Sequence, residues 1–446
     1  MQDYFDYTKN LFNPAGIKEK PEVFKGLRVL DFTHVIYGPT AAKLLGQFGA
    51  DVIKFELPWV GDLWRFGVYW GSFWRHSNVC FHFVLYGKHF FSLNLKLPKA
   101  KEIIYKLAEK ADVVCENFAA GTAETWGVGY SQLSKINPGL IYLSCATYGQ
   151  YGPMRFFPGW DLLAQAASGA ISLTGYPGTD KYYKLPDYVG DFFPGNIGAL
   201  AVMMALYRRK QSGKGQYIDL AQTEALMRII PNFTYYSMTS DDLERTGNTD
   251  PTMAPSGIFK TCDGKFVAVA AATDEQYKAV CEAMGRPDLV TKWKDTFERL
   301  KEVNAKELYE VTSKWVSGSN SSDLERLAQK HGFPYAVVEA DLDITNEEWR
   351  RERGSVMVYS DDMYGKLTIP GPSAMLSKTP GRIKWLARPL GYHNRYILKS
   401  MLGYSDEEIK LLEKERVVGY WDDSPGIKPP VYYDMSKDPV FNYSGE

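Results

Sequence analysis

The chain has 446 residues, of which 45% are hydrophobic and 24% charged, and its formal net charge is −1. That length exceeds one ordinary core and the composition is that of a globular protein, so two domains are expected. The near-zero charge excludes a basic nucleic-acid footprint and a polybasic membrane patch, and no run reaches the roughly 18 uninterrupted apolar residues of a membrane span.

The acidic, aromatic start MQDYFDYTKN lacks the basic and apolar regions of a secretory signal, so the cytoplasm is expected. LRVLDFT (27–33) then reads as a buried strand, GPTAAKLLGQFG (38–49) as a helix and DVIKFE (51–56) as a second strand. An aromatic stretch follows, with Trp59, Trp64, Phe66, Tyr69, Trp70, Phe73 and Trp74. It is suited either to packing or to a pocket for a bulky apolar ligand. Pro98 can open a helix whose apolar face is Ile103, Ile104, Leu107 and Ala111. DVVCEN (112–117) and GLIYLSCA (139–146) are further strands, and a helix runs from Pro194 to residue 212 before the strand QYIDLA (216–221).

Strand and helix alternating in this way predict an α/β fold, a doubly wound, Rossmann-like parallel sheet. From about 226 to 334 the pattern changes to amphipathic helices around the hairpin GIFKTCDGKFVAVAAA, whose turn is Asp263-Gly264. This predicts a smaller α+β domain, with 1–225 and 335–446 forming the large one. SDEEIKLLEKE (405–415) reads as an N-capped helix. The tail from 420 is rich in proline and turn residues, and its aromatics suit a segment laid on a surface.

The five cysteines (Cys80, Cys115, Cys145, Cys262, Cys281) are scattered and never in CxxC spacing, which predicts free thiols. His76, His82 and His89 have no flanking acids at metal-ligand spacing, so no metal is expected. The first strand-to-helix turn, THVIYGPTA, is not GxGxxG, and no phosphate loop or GxSxG elbow occurs. The strand ends carry glycine, asparagine or turn residues, where backbone amides can face an anion. What remains is a lone acid, Asp161 in PGWDLLAQAASG, with no histidine near it.

Several of these segments together resemble one family. LRVLDFTHVIYGPTAAKLLGQFGADVIKFELPWVGD, ADVVCENFAAGTAETWGVGY, PGWDLLAQAASG, GDFFPGNIGALAVMMALYRRKQSGKGQYIDLAQTEA and GYHNRYILKSMLGYSDEEI are similar, in order, to blocks of the class III CoA-transferases, the CaiB–BaiF family. The resemblance covers roughly residues 26 to 418. It implies an enzyme that moves coenzyme A from an acyl-CoA donor to a carboxylic acid, with Asp161 as the nucleophile. A carboxylate with an ordinary pKa near ~3.9 is already ionised at neutral pH and needs no base. Attack on the thioester gives an aspartyl anhydride, and the returning thiolate gives an aspartyl-CoA thioester.

The resemblance also implies CoA contacts from His34, Val35, Asn117 and Phe118, places Asp191 near the site, and makes Lys88 a candidate phosphate partner. Two family arginines are replaced, by Leu57 and Thr125. An interlocked homodimer, or a heteromer with a related chain, is the assembly implied. Trp160 stands where related racemases have histidine, which disfavours α-proton transfer as the alternative activity. A non-catalytic subunit of a heteromeric transferase is the other alternative. Trp160, the aromatic stretch and the absence of a glycine-rich lid point to an aromatic or bulky apolar acceptor rather than oxalate.

Overall fold

The computed structural model describes residues 1–67, 73–74 and 77–420. Helix α1 (Gln2–Leu11) precedes β1 (Arg28–Asp31), α2 (Tyr37–Gln47) and β2 (Asp51–Glu56). Then come β3 (His89–Ser92), α3 (Pro98–Ala108), β4 (Val113–Glu116) and β5 (Ile141–Ala146). Helices α4 (Asp161–Ala167) and α5 (Val189–Ser212) lead into β6 (Tyr217–Ala221). The six strands form one sheet in the order β3-β2-β1-β4-β5-β6, and every pair is parallel. This is the doubly wound order, whose direction of winding reverses between β1 and β4.

Alternation along each strand feeds two cores, one per face of the sheet. Val29, Val52, Val113 and Leu143 pack with Ala41 and Leu45 of α2 and Ala199 and Val202 of α5. Leu30, Ile53, Val114 and Tyr142 point the other way, to Ile103, Ile104 and Leu107 of α3 and to Ile409 and Leu412 of the helix Asp406–Lys414. That last helix is capped as its sequence predicts, with Ser405 and Glu408 forming a capping box.

Helix α5 begins at Val189, five residues before the expected start, and carries Pro194 inside it. A proline there removes the N–H that would bond the Gly190 carbonyl. The side-chain amide of Gln222 takes that place, donating to Gly190 O at 3.1 Å. By length and composition α5 could cross a membrane. Its Gly195, Gly198, Ala199, Val202 and Ala205 are buried, however, which is the pattern of a core helix.

The described chain divides into two compact units. The sheet lies in the first, and the second comprises residues 171–183 and 232–347. In the second unit β7 (Ser256–Lys260), β8 (Phe266–Ala270) and β9 (Tyr335–Val337) form an antiparallel sheet in the order β9-β8-β7. Helices α6 (Asp274–Ala283), α7 (Glu302–Ser317) and α8 (Ser321–His331) cover it around Phe259, Val267, Tyr277, Leu308 and Leu324. The sequence pattern put residues 335 onward in the large domain. Tyr335 instead pairs with Val269, which carries the observed division on to residue 347. The tail expected to lie on a surface falls outside the described residues.

Candidate active site

In a doubly wound sheet the ligand crevice lies at the carboxyl ends of the strands where winding reverses, here the ends of β1 and β4. The loops leaving these two strands are tied to each other. The His34 N–H donates to Asn117 Oδ1 at 2.7 Å, and Asn117 Nδ2 donates back to the His34 carbonyl at 2.8 Å. Val35 follows with φ 68, a left-handed conformation that a β-branched residue rarely adopts. Its N–H is held by Asp62 Oδ1 at 3.0 Å. Asp62 is fully buried, also accepts from Trp64 N, and pairs with Lys54 at 2.9 Å.

Beneath this loop lie two more buried ion pairs, Lys88–Asp31 and Arg65–Glu56, both at 2.7 Å. Lys88 is therefore no phosphate partner in this geometry. Its ammonium is fully buried and donates to Asp31 and to the Pro39 carbonyl. The sequence pattern could not separate a solvated lysine from one neutralising a buried acid.

A pocket of about 640 Å³ opens over these loops. His34, Val35, Asn117, Phe118 and Asp191, all selected from sequence, line it. The His34 ring lies 5.6 Å from that of Phe118, which is packed edge-on against Trp126. Burial, with Lys54 nearby, holds the His34 pKa below its ordinary value, so the ring is neutral. Among the described residues Lys96 and Arg155 are the two lysine or arginine side chains on the wall. Leu57 also lines it.

Asp161 is the first residue of α4; it is buried and follows Trp160, which lines the pocket. Two glycines allow this placement. A Cβ on Gly159 would meet the Thr147 hydroxyl at 1.9 Å, and one on Gly190 would meet Asp161 Oδ1 at 2.7 Å. The Asp161 carboxylate thus sits against the first turn of α5, whose N-terminus favours negative charge. Gln165, one helical turn on, donates to Oδ2 at 2.7 Å and accepts from Leu185 N at 2.8 Å. Oδ1 is buried and has no hydrogen-bond partner. Burial raises the Asp161 pKa, opposed by the Gly190 and Asp191 amides, Gln165 and Lys184.

Asp191, in the same first turn of α5, is buried and accepts from Gln222 Nε2. Gln222 Oε1 in turn accepts from the Thr147 hydroxyl at 2.6 Å. Burial and the charge of Asp161 push the Asp191 pKa up to about 7. Gln165, Gln222, Thr147 and Asp62 are site residues that sequence reasoning missed. Only Gln165 left a local signal, its i, i+4 spacing from Asp161.

Val60, Gly61 and Leu63 of the aromatic stretch line the pocket, but its aromatic side chains Trp59, Trp64 and Phe66 do not. Trp64 packs with Phe81 and Phe90 in a core, and Trp59 lies under Arg416. Tyr69 and Trp70 fall outside the described residues. The aromatic walls come instead from Phe118, Trp126, Phe156 and Trp160. No group of three His, Cys, Asp or Glu among the described residues could hold a metal.

Residues 24–394 match the sequence profile described as CoA-transferase family III. The chain is 35% identical over 400 residues to the succinyl-CoA–L-malate CoA-transferase beta subunit of Chloroflexus aurantiacus, covering 88% of this chain and 97% of that one. It is 32% identical over 413 residues to the succinyl-CoA:glutarate CoA-transferase of Mus musculus, covering 90% and 91%. The crystal structure of a CAIB/BAIF family protein from Brucella suis superposes with a TM-score of 0.75 at 25% identity, over 85% of this chain and 99% of that one.

Proposed function

This chain belongs to CoA-transferase family III, and from that premise we propose how its site works and on which acids. It is an enzyme that transfers coenzyme A from an acyl-CoA donor to a carboxylic acid acceptor. Asp161 is the nucleophile. Its Oδ1 attacks the thioester carbonyl, the C–S bond breaks, and the electron pair leaves with the CoA sulfur. The thiolate then attacks the aspartyl anhydride, releasing the donor acid and leaving an aspartyl-CoA thioester. The acceptor carboxylate repeats both steps in reverse.

One observation carries this reading. Asp161 has one oxygen fixed by Gln165 and the other unbonded, beside a pocket at the carboxyl ends of a parallel sheet. A carboxylate so placed needs no base. His34, Val35, Asn117 and Phe118 contact the CoA body, and Lys96 and Arg155 face its phosphates or a second carboxylate. Trp160 precedes the acid, so no neighbouring histidine supports a racemase relay.

Succinyl-CoA is the proposed donor and a short dicarboxylic acid the proposed acceptor, on the similarity to the malate and glutarate enzymes. An aromatic or bulky acid is the second reading, favoured by the Phe118, Trp126, Phe156 and Trp160 walls. The enzyme works in the cytoplasm. Leu162 and Leu163 of α4 and Leu200, Met204 and Tyr207 of α5 are exposed apolar side chains that suit a covered subunit interface. An interlocked homodimer fits them. A heteromer with a related chain is the alternative, since the Chloroflexus relative is named as a beta subunit.

Incubation with succinyl-CoA alone tests the chemistry. It should leave a hydroxylamine-sensitive adduct on the peptide containing Asp161, and Asp161→Asn should leave none. Adduct on another residue refutes the assignment. A panel of malate, glutarate, oxalate and phenyl-substituted acids, read by mass spectrometry, decides between the two acceptor classes. Light scattering of the purified chain reports the assembly.

A further inference from the structure

Two buried carboxylates meet at the first turn of α5: Asp191 belongs to that turn, and Asp161, at the start of α4, lies against its Gly190. Charges so close in a dry site do not both ionise readily. Their surroundings decide which one keeps a proton. Asp161 has the Gln165 amide, the Gly190 and Asp191 backbone dipoles and the Lys184 charge in its favour. Asp191 has one hydrogen bond, from Gln222. It lies on the pocket wall, and Asp161 packs against the Gly190 that precedes it.

Resting on the reading of Asp161 as nucleophile, we propose that Asp191 stands in this site as a neutral carboxylic acid and donates its hydroxyl hydrogen to the thioester carbonyl oxygen as Asp161 attacks. The C–O bond forms, the C–S bond breaks, and the electron pair departs on sulfur. The proton stays on Asp191 throughout, as a hydrogen bond to the oxygen on which charge collects. The last step, attack of the CoA thiolate on the acceptor's acyl carbon, is the reverse of the first and uses the same donor, whereas the two steps between them form their oxyanions on Asp161 Cγ. A carboxylic acid held neutral by its apolar surroundings is a known kind of oxyanion donor. The Gln222–Thr147 chain fixes one Asp191 oxygen as acceptor, which leaves the other to carry the proton.

The titratable groups facing Asp191 are Asp161 on α4, Tyr37 on α2 and Tyr188 ahead of α5. Both tyrosines are raised above their ordinary pKa by burial, so they stay neutral across the working range. Asp191 titrates at about 7, and the buried Glu116, next to Asn117, does so too. A variant must therefore separate these two acids.

The test is the single-turnover rate of thiolate release and Asp161 acylation with succinyl-CoA from pH 6.5 to 9. In the unaltered enzyme the rate should fall about tenfold per pH unit above pH 7, as Asp191 loses its proton. Asp191→Asn keeps a donor that cannot titrate. Its rate should stay within about tenfold of the parent at pH 6.5 and be flat with pH. Asp191→Ala should be slower by roughly 100-fold at pH 6.5. Thermal melts of both variants identify loss of fold. An alkaline fall that persists in Asp191→Asn assigns the titration to another acid and overturns the proposal, as does an Asp191→Ala rate within threefold of the parent. Absence of any adduct on the Asp161 peptide in the unaltered enzyme overturns the nucleophile itself, an outcome read separately from the pH profile.

Discussion

Replacing Gly190 by alanine should separate the chemistry of this protein from its stability. The added Cβ would stand 2.7 Å from Asp161 Oδ1, 2.8 Å from the Asp161 carbonyl and 3.2 Å from Gln165 Cγ. Ordinary contact begins at 3.4 Å, so the carboxylate must retreat by about 0.7 Å (3.4 − 2.7) or α5 must shift away from it. Misplacing a reacting group by about 1 Å costs on the order of 100-fold in rate. Stability moves less. Overpacking costs about 1–3 kcal/mol, and alanine recovers up to about 1 kcal/mol over glycine in a helix. The variant should therefore melt cooperatively, within about 2 kcal/mol of the parent, while its Asp161 acylation rate with succinyl-CoA falls by roughly two orders of magnitude. A Gly190→Ala enzyme acylating within threefold of the parent would show that the close approach does not position the nucleophile.

Glu116 gives a stability prediction with a definite sign. Burial raises its pKa from 4.5 to about 7, so between those values the folded chain holds a proton that the unfolded chain releases. Stability from this group therefore falls as pH rises from 4.5 to about 7 and is level above; Glu116→Gln should remove the decline and gain up to about 3 kcal/mol on the parent between pH 5 and 8, measured by urea denaturation. Lys88→Met leaves the Asp31 carboxylate buried without its cation, which should cost about 3–5 kcal/mol, and adding Asp31→Asn should restore much of it. Equal stability of the single and double variants would show that the pair is not coupled. Asn117→Ala removes both hydrogen bonds to the His34 backbone, at about 0.5–1.5 kcal/mol each. Binding of acyl-CoA should weaken roughly tenfold in titration calorimetry, and an unchanged Kd would leave Asp62 as the sole support of that loop.

Much of the large sheet was legible because its strands are short apolar runs whose alternation serves two cores. DVIKFE coincides with the observed strand, LRVLDFT overruns its strand by three residues and QYIDLA by one. Ser405 and Glu408 announced their helix because a capping box is wholly local. The start of α5 was not legible, since the partner that lets Pro194 sit inside the helix is Gln222, 28 residues along the chain. Lys88 was misread for the same kind of reason. Its partner Asp31 comes from another strand, and nothing near YGKH distinguishes a buried ammonium from a solvated one. Asp161 was legible only through family resemblance. The features that make it a candidate nucleophile, an unbonded oxygen and a glycine from a distant helix turn, are three-dimensional.

The reactive groups and the walls around them come from different kinds of backbone. Asp161 and Asp191 lie in the first turns of helices, and Asn117 follows the last residue of a strand. Tyr148, Arg155, Phe156 and Phe157 belong to the irregular stretch between β5 and α4. Mutational drift in such a stretch leaves the helix ends where they are. A lineage carrying this scaffold could therefore exchange one acid for another through a few substitutions between residues 148 and 157, with the apparatus for making and breaking thioesters inherited unchanged.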